Sequence, residues 1–266
     1  MMALERQRRI VELVNDRGSV RVAEISKIFD VTPETVRRDL DLLEEEGKLL
    51  RSHGGAVRIQ EEQGDIPYLV REETNAEEKV EVAKNALEFV YPGDSIALDA
   101  STTAWYLARV LPDMPLRVLT NSIRVAQELS TKDKIEVIMT GGILRVTSMS
   151  LIGPLAEETI NKYHVNKAFI SCKGIHPSYG VSDSNEMQAL IKQHMSSIAD
   201  HVYLLVDHSK FGVRDFAKVM DVKDLNAIIT DSRVDQETIQ LFADIDVKIF
   251  FAQYQGDPKA ELSEST

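Results

Sequence analysis

"VTPETVRRDLDLLEEEGKL", Val31 to Leu49, carries the clearest helix start in the chain. Thr32 is a preferred N-cap, Pro33 suits the first helical position, and Glu34 puts a carboxylate in the first turn. Val36, Leu40 and Leu43 recur at i, i+4, i+7, so one stripe faces a core, and Gly47 ends the helix. Stepping about 100° per residue from Val36 turns Arg37 and Arg38 sideways and outward. A solvated face would explain the pair, with Glu34–Arg38 and Arg37–Asp41 as i, i+4 partners contributing about 0.2–0.5 kcal/mol each.

The surroundings favour a different use. "LERQRRIVELVNDRG" has Leu4, Ile10, Leu13 and Val14 on a helical stripe and stops at Gly18. "RVAEISKIFDV" places Val22, Ile25 and Phe29 at helical spacing. After the third helix, "KLLRSHGGAVRI" reads as two short strands around a Gly54-Gly55 turn, with Arg51 and His53 on the ribbon. Three helices with a short turn before the last, then a basic ribbon, imply a helix-turn-helix with a wing. Its third helix would enter a major groove. The helix N-terminus offers free backbone donors to phosphate. Double-stranded DNA is the expected partner of this module. A guanine edge would suit Arg37 or Arg38, and the residues do not say which.

Charge distribution agrees. The chain carries a net −12, yet residues 1–60 hold 11 basic and 11 acidic side chains. All the negative charge therefore lies beyond them, in a body that repels DNA and leaves contact to the neutral module. One small module binds weakly, so a homo-oligomer (dimer or tetramer) on repeated half-sites is expected. A single cysteine, Cys172, excludes an internal disulfide framework and reads as an inert core thiol. With no signal-peptide pattern and no apolar run of spanning length, the expectation is a cytoplasmic protein without membrane contact.

The expected organisation is a DNA-binding domain over 1–58, a polar linker over 59–74, a sensor domain over 75–253 and a polar tail over 254–266. In the third segment apolar strands alternate with helices: "SIALDA", "LRVLT", "IEVIMT", "KAFISC", "VYLLVD", "AIIT" and "VKIFFA". That pattern means a Rossmann-like α/β domain, a parallel sheet covered on both faces. Parallel sheets bind ligands at strand C-termini. There Ser101, Thr102 and Thr103 precede the helix "AWYLARVL", offering hydroxyls, amides and a helix dipole to a phosphate. Asn121-Ser122 sits likewise after the second strand, and Gly141-Gly142 after the third would let backbone approach a ligand. Trp105 reads as helix packing beside the threonine loop.

The stretch "ERQRRIVELVNDRGSVRVAEISKIFDVTPETVRRDLDLLEEEGKLLRSHGGAV" closely resembles the N-terminal domain of the DeoR family of bacterial transcription regulators. The resemblance implies a winged helix-turn-helix whose DNA-facing set is Thr32, Thr35, Arg37 and Arg38, with Arg51, Ser52 and His53 in the wing. "LDASTT", "TNS", "TGG", "IGP", "AFISCKGI", "GVSDSNEMQALIK" and "LLVDHSKFG" extend the likeness over the family's sensor domain, which is similar to ribose-5-phosphate isomerase. This implies a phosphorylated sugar as effector, with Ser101, Thr102 and Thr103 on phosphate and Asn121, Ser122, Gly141 and Gly142 around the sugar. Asp99, Asp183, Glu186 and Lys210 are implied hydroxyl partners, and Lys79 a further contact. Ala100-Ser101 replaces the family's usual Ser-Gly, and Lys173, a further implied effector contact, stands where a carboxylate is frequent. The "SCKG" of Ser171–Gly174 resembles deoxyhexose regulators of the rhamnose type.

The implied role is a repressor of a sugar catabolic operon, relieved by the phosphorylated sugar. Asp99, Glu186, Lys173 and Lys210 could instead serve a sugar-phosphate isomerase, but fusion to a DNA-binding module favours sensing without turnover. A nucleotide or acyl-CoA sensor is the third reading, and neither G-x-G-x-x-G nor a P-loop supports it. No histidine shows metal-ligand spacing, so neither cofactor nor metal is expected.

Overall fold

Val36, Leu40 and Leu43 lie on one buried stripe of the third helix, as their spacing predicts. They pack with Ile10, Val14, Ile25, Leu49 and Ala56 into a small separate core. The computed structural model describes residues 3–17, 19–45, 48–52, 54–57 and 66–251. The chain divides into two compact units, Met1–Glu62 and Gln63–Thr266.

The first unit contains α1 (Ala3–Arg17), β1 (Ser19–Arg21), α2 (Val22–Phe29), α3 (Pro33–Glu45), β2 (Leu50–Ser52) and β3 (Gly55–Val57). The predicted ribbon is β2–β3. The sequence reading omitted β1, three residues too short to show a period, which pairs with β3 to make a three-stranded antiparallel sheet. That pairing explains the glycine turn: a Cβ on Gly55 would stand 2.1 Å from the Val20 carbonyl oxygen. The helix-ending Gly18 and Gly47, the wing's His53, residues 59–65 of the linker and the tail lie outside the described residues, as do the side chains of Leu4 and Ser52.

The second unit begins with a short helix, α4 (Tyr68–Glu73), in a stretch whose composition reads as linker. Tyr68 is buried and ties that helix to the unit. Then come α5 (Ala76–Leu87), β4 (Ser95–Leu98), α6 (Thr102–Val110), β5 (Leu116–Thr120), α7 (Ile123–Leu129) and β6 (Ile135–Met139). A hairpin of β7 (Ile143–Arg145) and β8 (Ser150–Ile152) leads to α8 (Pro154–Ile160) and β9 (Val165–Ile170). Next are β10 (Gly174–His176), β11 (Gly180–Asp183), α9 (Glu186–Ser197), β12 (Ala199–Leu205) and β13 (Ala217–Met220). The described part closes with β14 (Ala227–Ile229), α10 (Gln236–Ala243) and β15 (Ile249–Phe250).

Seven strands form a parallel sheet in the order β15-β14-β12-β9-β4-β5-β6. Two apolar clusters cover its faces, one including Ala83, Leu107 and Leu129, the other Ala156, Met195 and Phe242. Continuous burial of Ile96–Leu98 and Ala168–Ile170 is the signature of strands covered on both sides. The chain runs outward from β4 through β5 to β6, then returns to β9 on the other side of β4. Strand order therefore reverses between β4 and β9, and open α/β sheets bind ligands at the carboxyl ends of strands at such a point. β10, β11 and β13 form a small antiparallel sheet. Neither it nor the hairpin was expected from the sequence.

Candidate functional site

In the first unit the Thr32 hydroxyl accepts from the Thr35 amide at 3.3 Å and lies 3.0 Å from the Thr35 hydroxyl, the expected N-cap. The charge pairing on α3 departs from the expected i, i+4 pairs. Arg37 pairs with Glu34 at 2.7 Å, three residues back, while Asp41 pairs with Arg51 at 2.9 Å. Arg51 also donates to the Arg37 carbonyl at 3.1 Å, and its amide donates to Glu44 at 2.7 Å. Arg51 thus braces β2 against α3. Arg38 is exposed and has no hydrogen-bond or ion-pair partner among the described residues. The next residue, Asp39, is buried and accepts from Arg6 at 2.6 and 3.2 Å and from Gln7 at 3.0 Å. That clamp holds α1 to α3, and the hydrogen bond to Asp39 raises the Arg6 pKa above its ordinary value. Its sequence signal was an acid on the apolar stripe, three residues after Val36 and four before Leu43.

In the second unit a polar cavity opens at the point of strand reversal. Loops after β4, β9 and β12 supply Ser101–Thr103, Ser171–Lys173, Asp207 and Lys210. Arg71, Thr74, Asn75 and Lys79 close one side, and Asp183, Gln188 and Lys192 another. Of the expected effector residues, Ser101, Thr102, Thr103, Lys173, Asp183 and Lys210 line it together with Lys79.

Asp99 lies beneath the lining, 1% exposed. Its carboxylate accepts from the Ser101 amide (3.0 Å), the Ser171 amide (2.9 Å) and the Lys192 ammonium (2.6 Å). It therefore staples the carboxyl ends of β4 and β9 across the reversal. Lys192 also donates to the Ser171 carbonyl at 2.7 Å and lies 3.3 Å from Asp183. Burial alone would lower the Lys192 pKa, but Asp99 and Asp183 overcome it and hold the ammonium above the ordinary lysine range.

Ser101 caps α6 by accepting from the Ala104 amide at 3.0 Å, which aims the positive end of that helix at the cavity. Thr102 and Thr103 are 4% and 3% exposed, and the Thr102 hydroxyl lies 3.5 Å from the Arg71 carbonyl. Lys79 donates to the Arg71 and Thr74 carbonyls at the end of α4. Burial pulls its pKa down to about 8; Lys210, Arg71 and Lys173 add to this and Asp207 opposes it. The Cys172 thiol is pushed up to about 12 by burial, so it is no nucleophile.

With Lys192 compensated by two carboxylates, Arg71, Lys79, Lys173 and Lys210 face the cavity with Asp207 as counter-charge. In a chain of net charge −12, this is a locally positive cleft. It suits an anion.

Asn121, Ser122, Gly141, Gly142 and Glu186 are not in its lining. Asn121 donates its side-chain amide to the Leu151 carbonyl at 3.0 Å, and Ser122 caps α7 through the Val125 amide at 3.2 Å. Gly141 and Gly142 have φ of +67° and +109°, and a Cβ on Gly142 would lie 2.6 Å from the Ile152 carbonyl oxygen. The pair lets the β7–β8 hairpin close. Glu186 is exposed in the first turn of α9. Trp105 is buried in α6 between Arg109 (4.7 Å) and Arg124 (5.2 Å), so it packs. Sequence reasoning missed Arg71, Ser171, Gln188, Lys192 and Asp207. A usable signal existed: β4, β9 and β12 all end in a polar cluster, "LDAST", "ISCK" and "LVDHSK".

No helix among the described residues is long and apolar enough to cross a membrane. No described group of His, Cys, Asp or Glu is arranged to hold a metal.

Residues 6–62 match the DeoR-like helix-turn-helix domain and residues 74–232 the DeoR C terminal sensor domain. The chain is 51% identical to the HTH-type transcriptional regulator YulB of Bacillus subtilis, over 94% of this chain and 96% of that one. It is 35% identical to the L-fucose operon activator of Escherichia coli, over 87% and 96%. It is 34% identical to the transcriptional repressor GlcR of Bacillus subtilis, over 85% and 88%. Ribose 5-phosphate isomerase A of Methanocaldococcus jannaschii aligns over 52% of this chain and 55% of its own, with 18% identity and a TM-score of 0.40, too slight a likeness to bear on function. The match of both segments to the family's two domains and the relatives at 34–51% identity agree with the helix-turn-helix unit and the parallel-sheet unit: the chain belongs to the DeoR family of DNA-binding transcriptional regulators.

Proposed function

We propose that this regulator represses a sugar catabolic operon and that a phosphorylated sugar in the β4/β9 cleft relieves the repression. The observation that carries the reading is the cleft's chemistry. The capped N-terminus of α6, two buried threonine hydroxyls and an excess of ammonium and guanidinium groups converge at the strand reversal. Phosphate is the sugar substituent that such a set recognises. Ser101, Thr102 and Thr103 take the phosphate, and Asp183, Lys173 and Lys210 face the sugar. Asp99 acts from below by fixing the loop. The name of the L-fucose operon activator supports a deoxyhexose phosphate as ligand, since fucose is a deoxyhexose. The name of GlcR supports repression. A thermal-shift screen against paired free and phosphorylated sugars tests the effector: the phosphorylated member alone raises Tm, by the equivalent of about 2.7 kcal/mol at a hundredfold excess over Kd. No shift across the panel refutes the phosphate reading.

Operator DNA is read by α3. Arg38 is the arginine with a free head group, so it reads a base edge, while Thr32, Thr35 and Arg37 set register on phosphates and Arg51 braces the wing. Arg38→Ala lowers affinity for operator DNA by about 1–3 kcal/mol and relaxes sequence preference at matched salt. Unchanged binding removes α3 from the interface. Self-association is supported by the stretch from Met139 to Leu155, which has no Asp or Glu and exposes Ile143, Leu144, Val146 and Leu155. Two copies of an acidic chain meet there without repulsion, and sedimentation velocity of Leu144→Asp against the parent reads the loss of a dimer.

A further inference from the structure

Lys79 and Thr102 both face the anion-suited cleft, yet their donors are directed at backbone carbonyls of α4. Lys79, from α5, donates to the Arg71 and Thr74 carbonyls. The Thr102 hydroxyl reaches the Arg71 carbonyl at 3.5 Å, and the Tyr106 hydroxyl donates to the Glu72 carbonyl at 3.2 Å. These are carbonyls that a helix C-terminus cannot satisfy internally, and side-chain donors from α5 and α6 cap them. A short helix with its negative end in the cleft thus holds donors suited to an anion.

We infer that an anionic effector competes with the C-terminal carbonyls of α4 for the Lys79 ammonium and the Thr102 hydroxyl, so that filling the cleft releases α4. This rests on the reading of the cleft as the effector site and adds how occupancy leaves it.

Four observations support the exchange. Hydrogen bonds from an ammonium to phosphate are charge-assisted and about twice as strong as those between neutral groups, so an anion outbids a carbonyl. Burial depresses the Lys79 pKa to about 8 against the opposing charge of Asp207, so an added anion beside it favours its charged form. The apolar hold on α4 comes from one side chain: Tyr68 is buried, whereas Leu69 and Val70 are 69% and 39% exposed, so polar contacts carry the rest of the restraint. Neither Glu72 nor Arg124 lines the cleft, so their contact at 3.1 and 3.3 Å survives as a pivot.

The consequence lies in the covalent path. Every connection by chain from the DNA-binding unit to the sensor sheet passes through α4, the first described helix after β3. Loosening or shifting it changes the tether on the winged unit, and that is the two-state element an effector must bias to alter DNA affinity.

Amide hydrogen exchange by mass spectrometry on the full-length protein tests this, with inorganic phosphate as the probe and chloride at matched ionic strength as the control. Phosphate is expected to slow exchange at the start of α6 and to quicken it at least about threefold across residues 68–74. Protection of α6 with α4 exchange slowed or unchanged overturns the competition and leaves the anion site standing. No change in Tm or exchange anywhere with phosphate overturns both. Lys79→Gln, checked for native circular dichroism, is expected to exchange fast across α4 without phosphate and to show no further increase with it. A slow, phosphate-responsive α4 in that variant contradicts the proposal.

Discussion

The loops that follow β4 and β5 are alike in sequence and unlike in use. Each runs from an apolar strand into a serine that caps the next helix, Ser101 through the Ala104 amide and Ser122 through the Val125 amide. After β4 the polar side chains converge on a cleft. After β5 they turn into the protein: Asn121 bonds the Leu151 carbonyl, and the Thr120 hydroxyl donates to the Leu98 carbonyl at 2.7 Å. The difference is place in the sheet. β4 borders the strand-order reversal and β5 does not. A capping serine and a helix dipole become a binding site only where neighbouring loops diverge enough to leave room.

That contrast can be broken most forcefully at the buried acid. Asp99→Ala strips Lys192 of its nearest carboxylate and leaves two buried amides without their acceptor, so it costs about 3–5 kcal/mol in urea denaturation. Asn121→Ala, at the corresponding place after β5, removes one side-chain bond and costs about 1 kcal/mol. Equal losses would mean that the β4 loop has no special anchoring. Ligand binding sharpens the comparison next. Thr102→Val lowers affinity for the phosphorylated effector about tenfold, whereas Ser122→Ala leaves affinity unchanged and lowers stability by about 1 kcal/mol through the lost cap. Calorimetric titration of the two variants distinguishes a binding loop from a packing loop.

The smallest expected effect is a pH dependence. Lys79 has its pKa pulled to about 8, from an ordinary 10.5, by burial first and by Lys210, Arg71 and Lys173 after it, against Asp207. A bound phosphate favours the ammonium and raises that pKa, so the complex takes up a proton at and above pH 8. Effector affinity is therefore full below pH 8 and declines as pH rises through 8. Stability of the free protein has the opposite slope, because the unfolded lysine binds the proton more tightly than the folded one there. Buffer-dependent proton uptake on binding, lost in Lys79→Gln, checks the assignment.

Much of this was legible beforehand. Apolar runs and capping residues located the seven parallel strands and helices α1, α2, α3 and α6, because buried parallel strands leave a continuous signal that does not depend on tertiary context. The short elements β1, β7, β8 and β10 were not legible: they have neither the Gly-Gly turn that marks β2 and β3 nor the wholly apolar run that marks β14, and pairing alone makes them strands. The site was half visible. Residues at strand ends announced themselves, but whether Ser101 or Ser122 binds depends on strand order, which local pattern does not encode. Lys192 and Gln188 project from α9, and only folding brings Lys192 to Asp99 beneath the β4 loop and Gln188 to Ser148 and Ser150 at the edge of the cleft. Among the arginines, the sequence could not separate Arg38 from Arg37 and Arg51, whose partners Glu34 and Asp41 were chosen by geometry rather than by i, i+4 spacing.

The most direct test of a cleft at the strand reversal that governs DNA affinity is fluorescence anisotropy of the protein on DNA from its own promoter. Parent, Thr102→Val and Ser122→Ala are compared with and without the phosphorylated sugar found in the screen. The expected result is an effector-induced drop in DNA affinity of about tenfold or more in the parent and in Ser122→Ala, and none at the same effector concentration in Thr102→Val. An undiminished response in Thr102→Val, or its loss in Ser122→Ala alone, would move the sensing site away from the β4/β9 cleft.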